Sequence, residues 1–341
     1  MTEPPLLRFG SGSLSDLGEL ADELGLERLL LVTSARAAVA HAARLPVAAV
    51  YDGVRPHVPV ETVEQAAALA RALEVDGLVG FGGGSAIDTC KAVTVELLGE
   101  RRLKTIAVPT TYAGAEWTPY FGMVIEPGRK GGAAHELAAP VAAIYDPELQ
   151  LDLPVPETVG TALNALAHCA EAYYVTGHNE RGDRHADCGA TEISYALPLV
   201  VSDPSSLYAR TRLLCGAMQA AFALGAAGLA LGHALAQALG GRYGLPHGAL
   251  NAVCLPAALR FNGEAVPEAV ERFGRALATG DPIGRVEELA ALGGFRNLRD
   301  LGVPREDLAD VAEAVVVRAG AKANPRTASA AEVEELLVSV W

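Results

Sequence analysis

The chain has 341 residues, of which half are apolar and 20% are charged. That length suits two domains, and that composition supports buried cores and argues against disorder. The formal net charge of −14 repels nucleic acids and anionic lipid surfaces, so neither is expected as a partner. A small-molecule ligand is expected instead, and an anionic one would need basic side chains beside it.

Five runs rich in β-branched residues alternate with amphipathic segments in the first half of the chain. The predicted strands are residues 28–34, 47–53, 76–82, 104–110 and 141–147. Between the second and third runs, Val63, Ala66, Ala70 and Leu73 recur at helical spacing. Alternating strands and helices predict a mainly parallel sheet covered by helices, as in a Rossmann-like α/β domain.

Residues 79–93 run from the third predicted strand through three glycines into a helix predicted to begin near Ser85. Glycine lets backbone amides approach a phosphate, and a helix N-terminus supplies partial positive charge. A tight turn would also explain the glycines, and the loop does not follow the first strand as in the usual fingerprint. The strand before and the helix after favour a dinucleotide site. The predicted cofactor-binding residues are Gly82, Gly83, Gly84, Ser85 and Asp88.

A second loop, residues 108–119, follows the next predicted strand and is rich in hydroxyl groups. Loops at the carboxyl ends of neighbouring parallel strands frame one crevice, so we assign this loop to the same cofactor. Its predicted binding residues are Thr110, Thr111, Tyr112 and Thr118, although turn capping is an alternative for the threonines. Lys130 is interpreted either as a ligand of the ribose or of a substrate carboxylate, or as a solvated lysine.

After about Leu153 the β-rich runs end and helical patterns extend to Trp341. Pro154 and Pro156 mark the joint, so we predict an α/β domain at 1–153 and an all-α domain at 154–341. Residues 216–241 carry no charge and are long enough to cross a bilayer. We interpret them as buried Ala/Gly-rich helices, with membrane insertion as the alternative.

Three histidines in apolar helical segments are the candidates for chemistry: His168, His233 and His247. Asn164 lies one turn before His168 and therefore shares its helix face. Three imidazoles and an acid would make a metal site, but an amide supplies no charge to offset the desolvation of a divalent ion. No metal is therefore predicted. Each histidine is alternatively a hydrogen-bonded core residue, and Arg242 is either a substrate ligand or a surface residue.

No basic region followed by an apolar run opens the chain, so no signal peptide is expected. The five cysteines are scattered and odd in number, which fits a reducing compartment. Both features predict a cytoplasmic protein.

Several motifs, in this order, resemble the iron-containing alcohol dehydrogenase superfamily: GGGSAIDTCKA, VPTTYAGAEWTP, YDPEL, LNALAHCAEAYY, LGHALAQALGGRYGLPHG and ANPRT. PTTYAGAE, DGVRPHVPVE, LRDLGVP and the final NPR are similar to its maleylacetate reductase branch. The resemblance covers essentially the whole chain. It implies the dehydroquinate synthase-like fold, with a dinucleotide-binding domain, a helical domain, an active site in the cleft and often a homodimer.

The resemblance also implies a reaction. Metal-dependent relatives bind iron or zinc through an Asp at the position of Asn164 and through the three histidine positions, whereas the reductase branch tends to carry Asn there and works without metal. Hydride would pass from NADH or NADPH to the C=C bond of an anionic unsaturated keto acid, 4-oxohex-2-enedioate, giving 3-oxoadipate in aromatic compound catabolism. The predicted catalytic residues are His168, His233, His247, Asn164 and Lys130.

The chain departs from these relatives at three positions. Relatives commonly have histidine where this chain has Gln237, and the reductases tend to have histidine at the positions of Asn251 and Ala257. Two alternatives to the reductase therefore stay open: a biosynthetic or non-redox lyase or cyclase on the same scaffold, and a non-catalytic dinucleotide-binding homologue. Ser34 stands where an acid would select NAD, and Arg36 nearby leaves NADP open.

Overall fold

The computed structural model describes residues 5–126 and 129–341, with the side chains at positions 125–130 left out of the description. The chain divides into two compact units between Gln150 and Leu151. The first unit is an α/β unit and the second is helical, as the sequence predicts.

The first unit is built on a six-stranded parallel sheet in the order β1-β8-β5-β4-β2-β3. In chain order the strands are β1 (Leu6–Phe9), β2 (Leu29–Val32), β3 (Ala49–Tyr51), β4 (Gly77–Gly82), β5 (Lys104–Pro109), β6 (Tyr120–Glu126), β7 (Arg129–Ala134) and β8 (Ala142–Tyr145). The strands β6 and β7 form a separate antiparallel hairpin. All four residues of β2 are buried, which explains its uninterrupted apolar run, because a parallel sheet is covered on both faces.

Four helices belong to the first unit: α1 (Leu17–Glu23), α2 (Ala35–His41), α3 (Val60–Ala72) and α4 (Gly84–Glu96). The predicted apolar face of α3 is confirmed for Val63, Ala66 and Ala70, which are buried, whereas Leu73 is the half-buried C-cap residue. The helix α4 packs against β4 and β5 and thereby fixes the loop that precedes it.

The five predicted strands are confirmed, but β1 and the hairpin were not predicted. The edge strand β1 has four residues and none of them is fully buried, so it lacks the continuous apolar signature of a central strand. The strand β7 has the sequence RKGGAA, whose residues have low β propensity. The glycine loop consequently follows the fourth strand of the chain rather than the third.

The second unit contains the remaining helices: α5 (Val155–Ala172), α6 (Glu180–Ser202), α7 (Leu207–Ala227), α8 (Leu231–Tyr243), α9 (His247–Ala265), α10 (Pro267–Ala276), α11 (Pro282–Ala291), α12 (Leu308–Val316), α13 (Ala319–Lys322) and α14 (Ala330–Ser339). The first of them begins at Val155, at the joint that Pro154 and Pro156 mark in the sequence. Pro156 is accommodated there because the first turn of a helix needs no backbone N–H donor from it.

The central helix α5 packs against α6, α7 and α9. A Cβ atom added at Gly248 would lie 2.5 Å from the carbonyl carbon of Gly160, so the backbones of α5 and α9 are in close contact there. This approach requires glycine at position 248. It brings the polar residues of the two helices within reach of each other.

The uncharged run 216–241 forms two helices rather than one. Gly228, with a φ of +99°, ends α7, and α8 follows at an angle of 102°. Within the described residues no single helix is long and apolar enough to span a membrane. Taken together, the bent pair α7 and α8 has sufficient length and apolar composition.

Candidate active site

The glycine loop joins β4 to α4 at the carboxyl edge of the sheet. Gly82 has a φ of +148°, which residues with a side chain rarely adopt. Gly83 is the N-cap of α4, and a Cβ there would lie 3.0 Å from Cγ2 of Thr111. The helix therefore begins at Gly84, one residue before the predicted start near Ser85, and Gly83 rather than Ser85 is its N-cap.

The second loop is attached directly to the glycine loop. The backbone N–H of Thr110 donates to the carbonyl of Gly82 at 2.9 Å, and the Thr111 side chain occupies the space that a Cβ at Gly83 would need. Tyr112 is fully buried. Two neighbouring loops at the carboxyl ends of β4 and β5 thus lie side by side, with backbone amides at a helix N-terminus between them. This arrangement fits the pyrophosphate of a dinucleotide.

Lys91 on α4 holds the second loop in place, and sequence reasoning missed it. Its side chain is fully buried, and Nζ lies 2.6 Å from the carbonyl oxygen of Ala115 and 2.7 Å from that of Tyr120. Oγ1 of Thr118 and Oδ1 of Asp88 each lie 3.3 Å from the same ammonium. The available signal was the pair of opposite charges, Asp88 and Lys91, three residues apart in a helix with few other charges.

Asp88 and Thr118 are therefore engaged by the protein itself. The second carboxylate oxygen of Asp88 accepts a hydrogen bond from the backbone N–H of Gly122 at 3.1 Å. The Thr118 hydroxyl also lies 3.3 Å from the carbonyl of Ala115. Both side chains shape the loop, and their predicted contact with a cofactor stays a prediction. Lys130 lies in β7, but its side chain is outside the described residues.

A buried acid further anchors the second loop. The Tyr145 hydroxyl at the end of β8 donates to Oε1 of Glu116 and accepts a hydrogen bond from Nε1 of Trp117 at 2.6 Å. Burial raises the pKa of Glu116, although its hydrogen bond with Tyr145 acts in the opposite direction. The loop is thus fixed from β8 as well as from α4.

In the helical unit, α5, α8 and α9 bring the three predicted histidines together; we call His168, His233 and His247 the imidazole cluster. The rings of His168 and His233 stack with centroids 4.7 Å apart, and His247 lies 5.8 Å from His233. His168 and His233 are buried, whereas His247, the first residue of α9, is half-buried. Burial, and then the neighbouring His233 and His247, hold the pKa of His168 well below its usual value. His168 is therefore neutral near pH 7.

Glu171, one turn after His168 on α5, is a second residue that sequence reasoning missed. Its fully buried carboxylate accepts hydrogen bonds from the ring Nδ1 of His233 at 2.8 Å and from the backbone N–H groups of Ala230 and His233. Nε2 of His233 is buried and has no hydrogen-bond partner within the described part of the chain. The signal for Glu171 was a lone acid in the apolar segment ALAHCAEAYY.

Asn164 and Asn251 form a buried amide pair beside the cluster. Nδ2 of Asn251 donates to Oδ1 of Asn164 at 2.7 Å, and both side chains are at least 95% buried. Ala257 is fully buried and Gln237 is half-buried. Asn251, one of the three positions where the reductases tend to have histidine or the relatives commonly do, is thus the direct hydrogen-bond partner of Asn164.

Arg242 pairs with two carboxylates and is therefore already neutralised. Its guanidinium lies 3.1 Å from Asp307 and 3.3 Å from Asp310. This arrangement favours the interpretation of Arg242 as a surface residue over a role in binding substrate.

The donor set at the imidazole cluster does not fit the divalent ion that metal-dependent relatives bind. Oδ1 of Asn164 already accepts from Asn251, and the Glu171 carboxylate is taken by three N–H donors. Across residues 5–126 and 129–341, no group of three or more His, Cys, Asp or Glu side chains has an arrangement that could hold a metal ion. Because imidazole and amide ligands carry no negative charge, such a set would leave the charge of the ion uncompensated.

Two family descriptions match the chain. Residues 4–147 match iron-containing alcohol dehydrogenase, and residues 158–341 match the C-terminal region of the Fe-containing alcohol dehydrogenase family. Together the two matches cover both units of the structure.

Individual relatives match over nearly their whole lengths. Maleylacetate reductase from Sphingobium indicum is 37% identical over 334 residues, covering 96% of this chain and 93% of the relative. Maleylacetate reductase 1 from Rhodococcus opacus is 36% identical, with 99% and 94% covered. The crystal structure of maleylacetate reductase from Agrobacterium tumefaciens is 34% identical, with a TM-score of 0.91 and coverage of 100% and 97%.

Proposed function

Because the chain belongs to the iron-containing alcohol dehydrogenase family, we propose that it is a maleylacetate reductase that uses NADH or NADPH. The relatives named maleylacetate reductase support this substrate. The observation that carries the proposal is the imidazole cluster beside the Asn164–Asn251 amide pair. Such a site has proton donors and hydrogen-bond donors but lacks the charge that would retain a metal.

The dinucleotide is held by the two loops of the first unit. The amides of Gly83, Gly84 and Ser85 at the start of α4 bind its pyrophosphate, and Thr110 and Thr111 complete the site. A side chain at Gly82 or Gly83 would strain the backbone or meet its neighbours. NADH or NADPH, when bound, supplies the hydride.

The imidazole cluster stabilises the charge that hydride transfer creates on the substrate and supplies the proton that completes the reduction. Hydride addition to the C=C bond, conjugate to the ketone, leaves negative charge on the ketone oxygen. Imidazole N–H groups donate to that oxygen, and a proton must then reach the adjacent carbon to give 3-oxoadipate. His247 is the best placed to deliver it, because it is half-buried and can exchange protons with solvent.

The substrate has two carboxylates, while Arg242 is occupied by Asp307 and Asp310. We therefore retain Lys130 as the proposed counterion. The proposal also includes a homodimer in the cytoplasm, with the dinucleotide domain at 1–153 and the substrate domain at 154–341. Sedimentation of the purified protein tests the homodimer directly.

The proposed function is tested by following NADH oxidation with maleylacetate before and after dialysis against a chelator. Turnover is expected in both samples at the same rate, because no step requires a metal. Loss of turnover on chelation that zinc or iron restores would contradict the metal-free reaction. Dinucleotide binding without turnover would favour a different reaction on this scaffold, and the absence of both would indicate a non-catalytic homologue.

Replacing Asn164 by aspartate is expected to create zinc affinity. The new carboxylate would lie beside the imidazole cluster and supply the missing negative charge, so the variant should retain about one zinc ion per chain. Metal analysis after gel filtration measures this, and reductase turnover should fall by about tenfold as the imidazoles become ligands.

The matched control is Asn262→Asp, because Asn262 and Asn324 form a second buried amide pair in the same unit. That variant should acquire no zinc. Equal zinc content in both variants would mean that the cluster itself is not the binding site.

A further inference from the structure

The carboxylate of Glu171 connects the fold of the helical unit to the orientation of one imidazole. Ala230 is the N-cap of α8 and His233 lies three residues later, so both belong to the turn in which helix N–H groups lack intrahelical acceptors. Glu171 accepts from Ala230 N–H at 2.7 Å through Oε2 and from His233 N–H at 3.0 Å through Oε1. An acid on α5 therefore caps the neighbouring helix.

The same carboxylate also determines what the His233 ring can do. Both backbone N–H groups are obligate donors, so both oxygens of Glu171 act as acceptors. The contact of 2.8 Å between Oε2 and Nδ1 is then an N–H···O bond in which the ring is the donor.

We propose that Glu171 is a positioning residue that holds His233 with a proton on Nδ1 and directs Nε2 toward the imidazole cluster. This inference rests on the proposed function for its consequence, because Nε2 then carries the lone pair of the ring and is the atom that can accept a proton and pass it on during the reaction. The stacked ring of His168, with centroids 4.7 Å away, keeps the imidazole in one plane.

Two observations support a role beyond capping. Nε2 of His233 is buried without a partner among the described residues, as expected for an atom reserved for a ligand. A cap requires only the two backbone contacts, yet Oε2 bonds the ring as well. Acids that orient a histidine through Nδ1 in this way fix its tautomer for proton transfer.

The inference is tested without substrate by ¹⁵N NMR of the histidine side chains. The resonances of His233 are assigned by their loss in His233→Gln. In the wild-type protein Nδ1 of His233 should be protonated, and in Glu171→Gln this preference should be lost, because an amide accepts through one atom and cannot satisfy all three donors. A wild-type His233 protonated at Nε2 alone would overturn the proposal, whether or not the variant folds.

Kinetics give the second measurement. Glu171→Gln should lower kcat by about 10- to 100-fold, as expected for a residue that orients a reacting group, with KM for the dinucleotide unchanged. The matched control is Asp187→Asn, because Asp187 also accepts from three donors, the Tyr173 hydroxyl and two Arg272 nitrogens, away from the cluster. It should retain both kcat and the His233 tautomer.

The outcomes separate this inference from the proposed function. An unchanged tautomer and an unchanged kcat in Glu171→Gln would reduce Glu171 to a helix cap. A wild-type protein that shows the protonated Nδ1 but does not reduce maleylacetate would refute the substrate and leave the positioning role intact.

Discussion

Replacement of His247 by alanine is expected to lower kcat for maleylacetate by at least about 100-fold, the usual contribution of general acid–base catalysis. His247 is the half-buried member of the imidazole cluster, whereas His168 is kept neutral by its lowered pKa. The variant therefore removes the group best placed to exchange a proton with solvent. Steady-state oxidation of NADH measures kcat, and the dinucleotide Kd should be unchanged.

The control for this variant is His185→Ala. His185 lies on α6 of the same unit, and its Nδ1 hydrogen-bonds to Gln219 at 2.7 Å, outside the imidazole cluster. Its kcat should stay within about threefold of wild type, since it touches no reacting group. Because alanine is the best helix former, His247→Ala should keep α9 intact. A kcat near wild type in that variant would remove His247 from the mechanism.

The architecture was accessible from sequence because its signals are local. β-Branched runs between glycines and prolines predicted β2, β3, β4, β5 and β8, and helical periodicity predicted the second unit. The edge strand β1 was not predicted because it is short and partly exposed. The hairpin of β6 and β7 was not predicted because the glycines and alanines of β7 have little preference for strands.

The candidate site was accessible only in part, because its decisive contacts join distant positions. The three histidines stood out as polar residues in apolar helices, and the structure places them together. No local pattern pairs Glu171 with His233, 62 residues later, or Asn164 with Asn251, 87 residues later. Such pairs depend on which helices pack together, as the close approach of α5 and α9 at Gly248 illustrates.

Those distant contacts also explain the role of the Asn164 amide on α5. An amide at position 164 could, by itself, still coordinate an ion through its oxygen. That oxygen accepts a hydrogen bond from Asn251, and the Glu171 carboxylate accepts from α8 and from the His233 ring, so both of these oxygen acceptors are already engaged. The preference for proton chemistry over metal chemistry therefore reflects both the missing charge at position 164 and the helix packing that engages these oxygens.

Lys91 shows the same dependence on tertiary structure in the first unit. Two of its partners are the backbone carbonyls of Ala115 and Tyr120. Since every residue has a backbone carbonyl, the amino-acid sequence does not show which of them accept a hydrogen bond. A fully buried ammonium must be compensated, and these oxygens, with Asp88, provide that compensation. The lysine in turn keeps the second dinucleotide-binding loop attached to α4.

Replacing Lys91 by methionine is therefore expected to lower the free energy of unfolding by about 3–5 kcal/mol, because it leaves buried oxygens and Asp88 without their cation. The loosened loop should also raise the Kd for NADH by at least about tenfold, which corresponds to about 1.4 kcal/mol. Urea unfolding and fluorescence titration measure the two effects. Lys104→Met, which removes an exposed ammonium bonded to the Leu24 carbonyl, is the control and should change neither. Equal stability of the two variants would contradict the role of Lys91.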